Sequence, residues 1–319
     1  MVIETVTEGV SSRSGAVPTR RRRWALDGAR GPQLALWGVW IIVLALFLAF
    51  FFLPIVWLVL APTRTSAQLN HGSALGFGSF AHIGHAFHQV ASYEGGAFFI
   101  WMKNSLIYSI GALVLTVGSA IPAGYALART EFIGRRLLLS ITLVVMIIPS
   151  TALVLPLFLE MNAVHLVDSA WSVILPMGFF PFGAYLAYIY FSTALPAEVL
   201  DSGRVDGCSE LRLFRHVALP LARPIVALVS FFGFVASWNN FFLPYVMLPS
   251  SSKYPLQVGL QDLLASTPAF NPTIGGGQSA FYLPELAFSV LLAAFPVLLI
   301  YLFAQRHLVS GLLAGSMKE

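Results

Sequence analysis

Charged side chains are scarce in this sequence. Asp, Glu, Lys and Arg make up 10% of the 319 residues, whereas apolar residues make up 57% and the mean hydropathy is +0.80. Soluble domains carry roughly 25% charged and about 45–50% apolar residues, so too few charges are present to cover a soluble globule of this length. The composition excludes a soluble protein and predicts a polytopic membrane protein.

Cysteine and lysine are also scarce, and each scarcity excludes a kind of chemistry. The single cysteine, Cys208, allows neither an intrachain disulfide nor a cysteine-based metal site. The three lysines are followed by Asn104, Tyr254 and Glu319, so none completes the Gly-x-x-x-x-Gly-Lys-Ser/Thr loop that cradles nucleotide phosphates. The chain is therefore predicted not to hydrolyse ATP and not to be an enzyme.

Long apolar stretches are the main positive feature. A helix needs roughly 20 apolar residues to cross a bilayer, and six stretches approach or exceed that length. They cover residues 34–60, 106–128, 137–159, 170–191, 225–248 and 283–304. The sequence thus predicts an all-α fold with six transmembrane helices.

Lysine and arginine are distributed unevenly along these stretches. Fifteen of the 18 fall on the side that includes both termini, and only Arg64, Lys103 and Lys253 fall on the other side. Because Lys and Arg concentrate in cytoplasmic loops, both termini are predicted to be cytoplasmic. The same bias accounts for the net charge of +4 without a nucleic-acid partner.

The six stretches divide the chain into parts of different character. The N-terminal part is polar and arginine-rich, which is typical of a disordered tail. In order, the predicted parts are a basic cytoplasmic tail (1–33), the first transmembrane helix (34–60), an external segment (61–100), a transmembrane domain (101–305) and a cytoplasmic C-terminal tail (306–319).

Three histidines lie in the predicted external segment. His82, His85 and His88 are three residues apart, and imidazoles at this spacing can share a metal on a helix. No carboxylate or cysteine lies within five residues of them, so solvated loop histidines are the preferred interpretation and no metal site is predicted.

Charge is concentrated between the fourth and fifth apolar stretches. The seven charged residues there are Glu198, Asp201, Arg204, Asp206, Glu210, Arg212 and Arg215. An ionised residue costs about 2.5–3.5 kcal/mol at the membrane centre, so this stretch cannot span the bilayer. Asp201 and Arg204 stand three residues apart and can pair on a helix.

The remaining residues of 196–222 predict a helix–glycine–helix elbow against the cytoplasmic face. Leu211, Phe214 and Ala218 recur at helical spacing and are expected to share one apolar face. Gly207 interrupts the run, and Ser209 is placed to cap a second helix. An ordinary amphipathic surface helix is the alternative interpretation.

Polar and aromatic residues interrupt the fifth apolar stretch. Trp238, Asn239, Asn240 and Tyr245 lie within it. A buried amide is costly unless it is hydrogen-bonded, so these side chains are predicted to face the bundle interior or a water-filled translocation path. Hydrogen bonding between helices is the alternative, and it also directs them inward.

The elbow resembles the coupling motif of ABC importer permeases. That motif reads Glu-Ala-Ala, three residues, Gly, nine residues, an aliphatic residue, one residue and Leu-Pro. This chain has Asp201-Ser202-Gly203, Gly207, Val217 and Leu219-Pro220 at the same intervals. The acid and both alanines are replaced, and Gly203 adds backbone freedom that is expected to loosen the elbow.

Flanking runs extend the resemblance to carbohydrate importers similar to the second maltose-permease subunit. These runs are WMKNSLIYS, GYALARTEFIGRR, MIIPSTALVLPLF, SWNNFFLPYVML and AQRHLVSGLLAGSMK. The resemblance implies a bacterial inner-membrane permease that imports a sugar. The residues implied to couple to the ATPase are Glu198, Asp201, Ser202, Gly203, Asp206, Gly207 and Pro220.

The resemblance also implies partners, and two alternative functions are left open beside it. The implied partners are a second permease subunit, two ABC ATPase subunits that bind ATP and Mg²⁺, and an extracytoplasmic solute-binding protein; this chain is implied to bind no cofactor itself. One alternative is an ion-coupled secondary transporter, which requires ionisable residues at mid-membrane. Another is an importer permease for a non-sugar solute such as a glycerol phosphate compound.

Overall fold

The computed structural model describes residues 30–73, 75–273 and 281–314, and within these ranges the chain is helical without strands. Most of the predicted N-terminal tail and the last five residues of the predicted C-terminal tail lie outside the described residues. The chain divides into two compact units between Pro54 and Ile55.

Fifteen α-helices are formed by the described residues. They are α1 (Arg30–Leu60), α2 (Ser66–His71), α3 (Phe80–Ser92), α4 (Ala97–Arg129), α5 (Arg135–Ile147), α6 (Val154–Ala163), α7 (Trp171–Gly178), α8 (Pro181–Thr193), α9 (Ala197–Val205), α10 (Glu210–Leu213), α11 (Leu219–Leu221), α12 (Arg223–Trp238), α13 (Phe242–Met247), α14 (Leu256–Ala265) and α15 (Leu283–Ala314). A π-helical turn at Phe214–Ala218 joins α10 to α11.

Four of the described helical segments are long and apolar enough to cross a membrane. They are Leu36–Thr63, Ala97–Arg129, Trp171–Thr193 and Leu283–Gln305. Two bent pairs raise the number to six if each pair is one span: Arg135–Ile147 with Ser150–Ala163, and Glu210–Leu221 with Arg223–Trp238. The prediction of a helical membrane protein is confirmed, with four to six candidate spans.

The third predicted span is not a single helix. α5 ends at Ile147, and the chain bends by 104° before it resumes as helix. Ile148 takes extended backbone angles (φ −70°, ψ 126°) because it precedes Pro149, whose ring disfavours the helical conformation of the residue before it. The break divides this span into two halves.

The fifth predicted span is also broken. α12 ends at Trp238, and α13 begins only at Phe242. Pro244 has no N–H to donate to the carbonyl of Asn240, so an uninterrupted helix would lose that bond. In the structure Pro244 instead occupies the first turn of the new helix α13, where its missing N–H costs nothing.

The second predicted span is longer than expected. α4 begins at Ala97 rather than at residue 106, directly after Gly96, whose left-handed conformation (φ 95°) turns the chain into the helix. Phe98 and Trp101 are buried in this added length and extend the helix into the packed core.

Buried apolar residues from Ile55 onward form separate clusters that position the functional regions. The elbow cluster joins α4, α8, α9, the π-helical turn and α12 and includes Ile121, Tyr125, Phe191, Leu200, Ala218 and Ile225. The distal cluster joins α4, α6, α7 and α13 and includes Tyr108, Val154, Val173, Ile174, Leu243 and Met247. α4 is unbroken and contributes to both clusters.

Candidate functional site

The elbow is built from two short helical segments joined by a tight turn. α9 supplies the first segment, and the second runs through α10, the π-helical turn and α11. The chain then bends by 80° into α12. The elbow therefore connects α8 to α12, and its second segment forms a bent pair with α12.

Gly207 forms the turn between the two segments. Its φ of +77° lies in the left-handed region that favours glycine. The N–H of Gly207 donates to the carbonyl of Arg204 (3.0 Å), and the N–H of Cys208 donates to that of Gly203 (3.0 Å). This pair of bonds is the Schellman arrangement that ends a helix, so the backbone conformation favours glycine at position 207.

Arg204 links the two segments across the turn. Its guanidinium donates to Asp201 Oδ1 and to Glu210 Oε1, both at 2.8 Å, and to the last carbonyl of α4 at Arg129 (3.3 Å). The predicted pairing with Asp201 is present, whereas the partner on the second segment, Glu210, was not predicted. The bond to Glu210 is the larger cause that raises the pKa of Arg204.

These ion pairs are exposed, so their energetic weight is small. The side chains of Arg204, Asp201 and Glu210 are 38%, 62% and 48% exposed, and exposed pairs contribute about 0.2–1 kcal/mol each. The Arg204–Glu210 pair joins the two segments, whereas the Arg204–Asp201 pair lies within α9.

Further contacts fasten the elbow to the bundle. The Tyr125 hydroxyl donates to Glu210 Oε2 (3.3 Å), and Arg129 Nε donates to the carbonyl of Phe191 (2.7 Å). Arg129 also donates to the carbonyl of Leu195. The end of α4 thus holds both the second elbow segment and the end of α8.

Gly203 has a packing role that the sequence pattern did not reveal. A Cβ added at Gly203 would lie 2.4 Å from Cδ2 of Leu213, which is fully buried. Overlap at this distance forces a neighbour to move. The missing side chain therefore lets α9 approach α10 closely, in contrast to the expected loosening.

The outward surface of the elbow differs from the predicted amphipathic pattern. Leu211 is 76% exposed, whereas Leu213 is buried, so the prediction of an inward-facing Leu211 is wrong. The π-helical turn at Phe214–Ala218 adds a residue to the helical repeat and shifts which residues share a face. Ser209 stands at the N-cap position of α10 without a side-chain cap hydrogen bond.

The remaining residues that were predicted to couple to the ATPase are exposed. They are Glu198, Asp201, Ser202, Asp206 and Pro220. Together with Val205, which is 88% exposed, and Leu211 they form a surface of mixed apolar and charged side chains. Such a rigid helical surface is suited to insertion into a partner's groove.

Two of the four predicted path residues have internal hydrogen bonds. Trp238 is 1% exposed, and its indole N–H donates to the carbonyl of Ala293 (3.1 Å). The Asn240 side chain accepts the N–H of Leu243 (3.2 Å) and so caps the start of α13. The bond of Trp238 joins α12 to α15, as the alternative interpretation of hydrogen bonding between helices expects. The bond of Asn240 is local to the start of α13.

The other two predicted path residues are open to their surroundings. Asn239 lines a mostly apolar cavity of about 510 Å³ between α12, α14 and α15. Gln257 and Tyr301 are the other polar residues that line this cavity. Tyr245 is 55% exposed and stacks on Phe241 at a centroid distance of 5.3 Å. Asn239 and Tyr245 therefore remain the accessible members of the set.

The three histidines lie on helix α3 rather than in a loop. His82 Nδ1 is 2.9 Å from the carbonyl of Thr63, and His85 Nδ1 is 3.7 Å from Glu285 Oε1. The interpretation of all three as solvated loop residues is therefore wrong for His82, while His88 is exposed.

Comparison with known proteins adds an independent line of support. A family model described as binding-protein-dependent transport system inner membrane component matches residues 120–313, which include the whole elbow. A solved structure, that of a bacterial ABC transporter involved in the import of the acidic polysaccharide alginate, superposes with a TM-score of 0.73 at 22% identity. The match covers 87% of this chain and 98% of that one, which shows a shared fold.

Two relatives are similar over most of their length. The arabinooligosaccharides transport system permease protein AraQ of Halalkalibacterium halodurans is 34% identical over 266 residues, which are 83% of this chain and 90% of that protein. The maltodextrin transport system permease protein MdxG of Bacillus subtilis is 30% identical over 220 residues, which are 68% and 75% of the two chains.

Proposed function

The chain belongs to the family of binding-protein-dependent transport system inner membrane components, and we propose that it is the permease subunit of an ATP-driven importer for a sugar. Two permease subunits form the path, two ATPase subunits bind the elbows from the cytoplasm, and a solute-binding protein delivers the substrate from outside. ATP and Mg²⁺ bind to the ATPase subunits and not to this chain.

The construction of the elbow is the observation that carries the proposal. Its turn is fixed by Gly207, its two segments are joined through Arg204, and Tyr125 and Arg129 tie it to α4. A rigid elbow transmits a displacement, whereas a flexible loop absorbs it. Closure of the ATPase dimer therefore moves the elbow, the elbow moves α4, α8 and α12 through the elbow cluster, and the path opens to the other side.

The distribution of basic residues supports the orientation. Both termini and the elbow lie in the cytoplasm of a bacterium, in its inner membrane, because 15 of the 18 Lys and Arg residues fall on that side. The names of the two relatives support an oligosaccharide as the substrate class. Asn239 and Tyr245 are the candidate contacts on this chain, since both are accessible.

The proposal is tested with the assembled transporter in lipid vesicles. Substrate-stimulated ATP hydrolysis is measured for the wild type, Gly207→Pro and Asp201→Lys. Both substitutions are expected to abolish the stimulation: proline cannot adopt the positive φ of residue 207, and lysine reverses the charge that faces Arg204. Membrane insertion should be unchanged because neither residue is buried.

A matched control is Glu131→Lys, an equal charge reversal at an exposed position in the loop after α4. It should leave stimulation at the wild-type level. Normal stimulation in Gly207→Pro and Asp201→Lys would remove the elbow from the mechanism. Sugar uptake by this chain without ATPase subunits, driven by an ion gradient, would instead establish the secondary transporter.

A further inference from the structure

Two segments far apart in sequence are joined at the Ala97 end of α4, the end opposite the elbow. Lys253 Nζ donates to Oδ2 and to the backbone carbonyl of Asp168, both at 2.6 Å. The hydroxyl and the N–H of Ser250 donate to the same carboxylate at 2.7 and 3.3 Å. We name Asp168, Ser250 and Lys253 the distal clasp.

The backbone at Asp168 is shaped for this contact. Its φ of 59° is left-handed, a conformation that aspartate tolerates better than most residues. In this conformation its own N–H donates to the carbonyl of Met247 at the end of α13 (2.9 Å). The loop after α6 is therefore attached both to α13 and to the turn that follows it.

α4 holds the same turn from the other side. Four α4 residues at i, i+3, i+4 and i+7 share one face, and they are Trp101, Asn104, Ser105 and Tyr108. Their side chains donate to the carbonyls of Ser251, Ser252, Lys253 and Tyr254 and accept the N–H of Leu256, at 2.7–3.2 Å. Three parts of the chain, α4, the loop after α6 and the turn after α13, are thereby bonded together.

The broken spans give this arrangement a mechanical consequence. α5 and α6 are separated by a 104° bend, and α12 and α13 by a non-helical break at 239–241. The helical hydrogen-bond ladder is interrupted at both places, so the backbone is less stiff there than in a continuous helix. Besides the covalent chain, lateral contacts connect the distal halves α6 and α13 to the rest of the described bundle, among them the distal cluster, the distal clasp and the unbroken α4.

We propose that the distal clasp is a positioning element that makes α6, α13 and the Ala97 end of α4 move as one body during transport. The inference rests on the proposed function and extends it to the opposite end of the path. The clasp stays closed throughout the transport cycle. Without it, the distal halves do not fully follow the movement of the elbow, and ATP is hydrolysed without transport of a sugar.

The first test measures sugar transported per ATP hydrolysed in vesicles that contain the complete transporter. Lys253→Met and Asp168→Asn are expected to lower this ratio about threefold, within the range of coupling changes seen for single substitutions, with little change in maximal ATP hydrolysis. Lys253→Arg keeps the charge and should keep the ratio. Lys103→Met, which removes an exposed lysine of α4, is the matched control and should resemble the wild type.

The second test replaces the contact between Asp168 and Ser250 by a covalent link. In a Cys208→Ser background, Asp168→Cys and Ser250→Cys are combined and treated with a short bifunctional thiol reagent. Before treatment the ratio should be low, as in Asp168→Asn, and cross-linking should restore it. The treated Cys208→Ser parent controls for the reagent, and co-purification with the partner subunits controls for assembly.

Each outcome decides the question. A normal ratio before cross-linking would mean that the clasp has no positioning role, and a ratio that stays low after efficient cross-linking would mean that the clasp must open. Loss of transport and ATP hydrolysis together, in an assembled complex, would indicate a merely structural role. A failure of the proposed function is distinguishable, because then the wild-type chain itself shows no ATP-dependent uptake.

Discussion

Substitution of Gly207 isolates the contribution of backbone conformation to the elbow. No atom lies within 4 Å of the position that a Cβ would occupy there, so Gly207→Ala introduces no clash. Its cost comes from the left-handed φ of +77°, which disfavours an L-residue by about 1–2 kcal/mol. That range corresponds to roughly a 5–30-fold loss in the population of the turn.

Gly207→Asn provides a graded comparison. Asparagine visits the left-handed region more readily than alanine, since its short polar side chain bonds locally. The expected order of turn stability is therefore Gly, then Asn, then Ala. An explanation based on side-chain size predicts the opposite order for the last two.

Hydrogen exchange at Cys208 reports this stability directly. The amide of Cys208 donates to the carbonyl of Gly203 only while the turn is formed. In vesicles or nanodiscs, its exchange should accelerate about 5–30-fold in Gly207→Ala and by less in Gly207→Asn. Equal protection in all three proteins, or faster exchange in Gly207→Asn than in Gly207→Ala, would refute the reasoning.

Three further predictions concern stability in detergent, measured by thermal unfolding. Gly203→Ala should destabilise by about 0–2 kcal/mol because overpacking costs about 1–3 kcal/mol and helix propensity returns about 1 kcal/mol; adding Leu213→Val should remove the overlap with the new Cβ. Trp238→Phe should cost about 0.5–1.5 kcal/mol because it removes the buried hydrogen bond from the indole N–H to the carbonyl of Ala293. Hydrogen bonds from Lys253 and then Ser250 lower the pKa of Asp168, so the Tm difference between wild type and Asp168→Asn should stay constant above the ordinary aspartate pKa, begin to shrink as the pH falls below it, and stop shrinking once the pH is below the lowered value.

Hydropathy predicted where the long helices lie but not where they break. Pro54, Pro122, Pro176 and Pro296 remain inside helices, whereas Pro149 stands at a 104° bend. A proline in a membrane helix breaks it or not according to whether neighbours satisfy the freed backbone groups. That depends on tertiary contacts, which no local pattern contains.

The elbow shows the same division between local and non-local information. Gly207 and the pairing of Asp201 with Arg204 depend on residues within one or two turns, and spacing alone indicated both. The burial of Leu213 was not predicted because the π-helical turn after it changes the helical repeat. The close packing at Gly203 was not predicted because it depends on the side chain of Leu213, which Gly203 faces across the elbow. The pattern around Trp238 predicted an inward side chain, but it could not show whether that side chain is enclosed or accessible; Trp238 is enclosed.

The row of side chains on α4 has a consequence for the evolution of this protein. Trp101, Asn104 and Tyr108 bind main-chain carbonyls of the turn after α13, and a carbonyl is present whichever amino acid occupies the position. The positions of Ser251 and Ser252 in the turn are therefore held by side chains of α4 and not by their own side chains. Ser251 and Ser252 can therefore be replaced without loss of these hydrogen bonds. The exposed surface that they form can change during evolution while the backbone of the turn keeps its conformation.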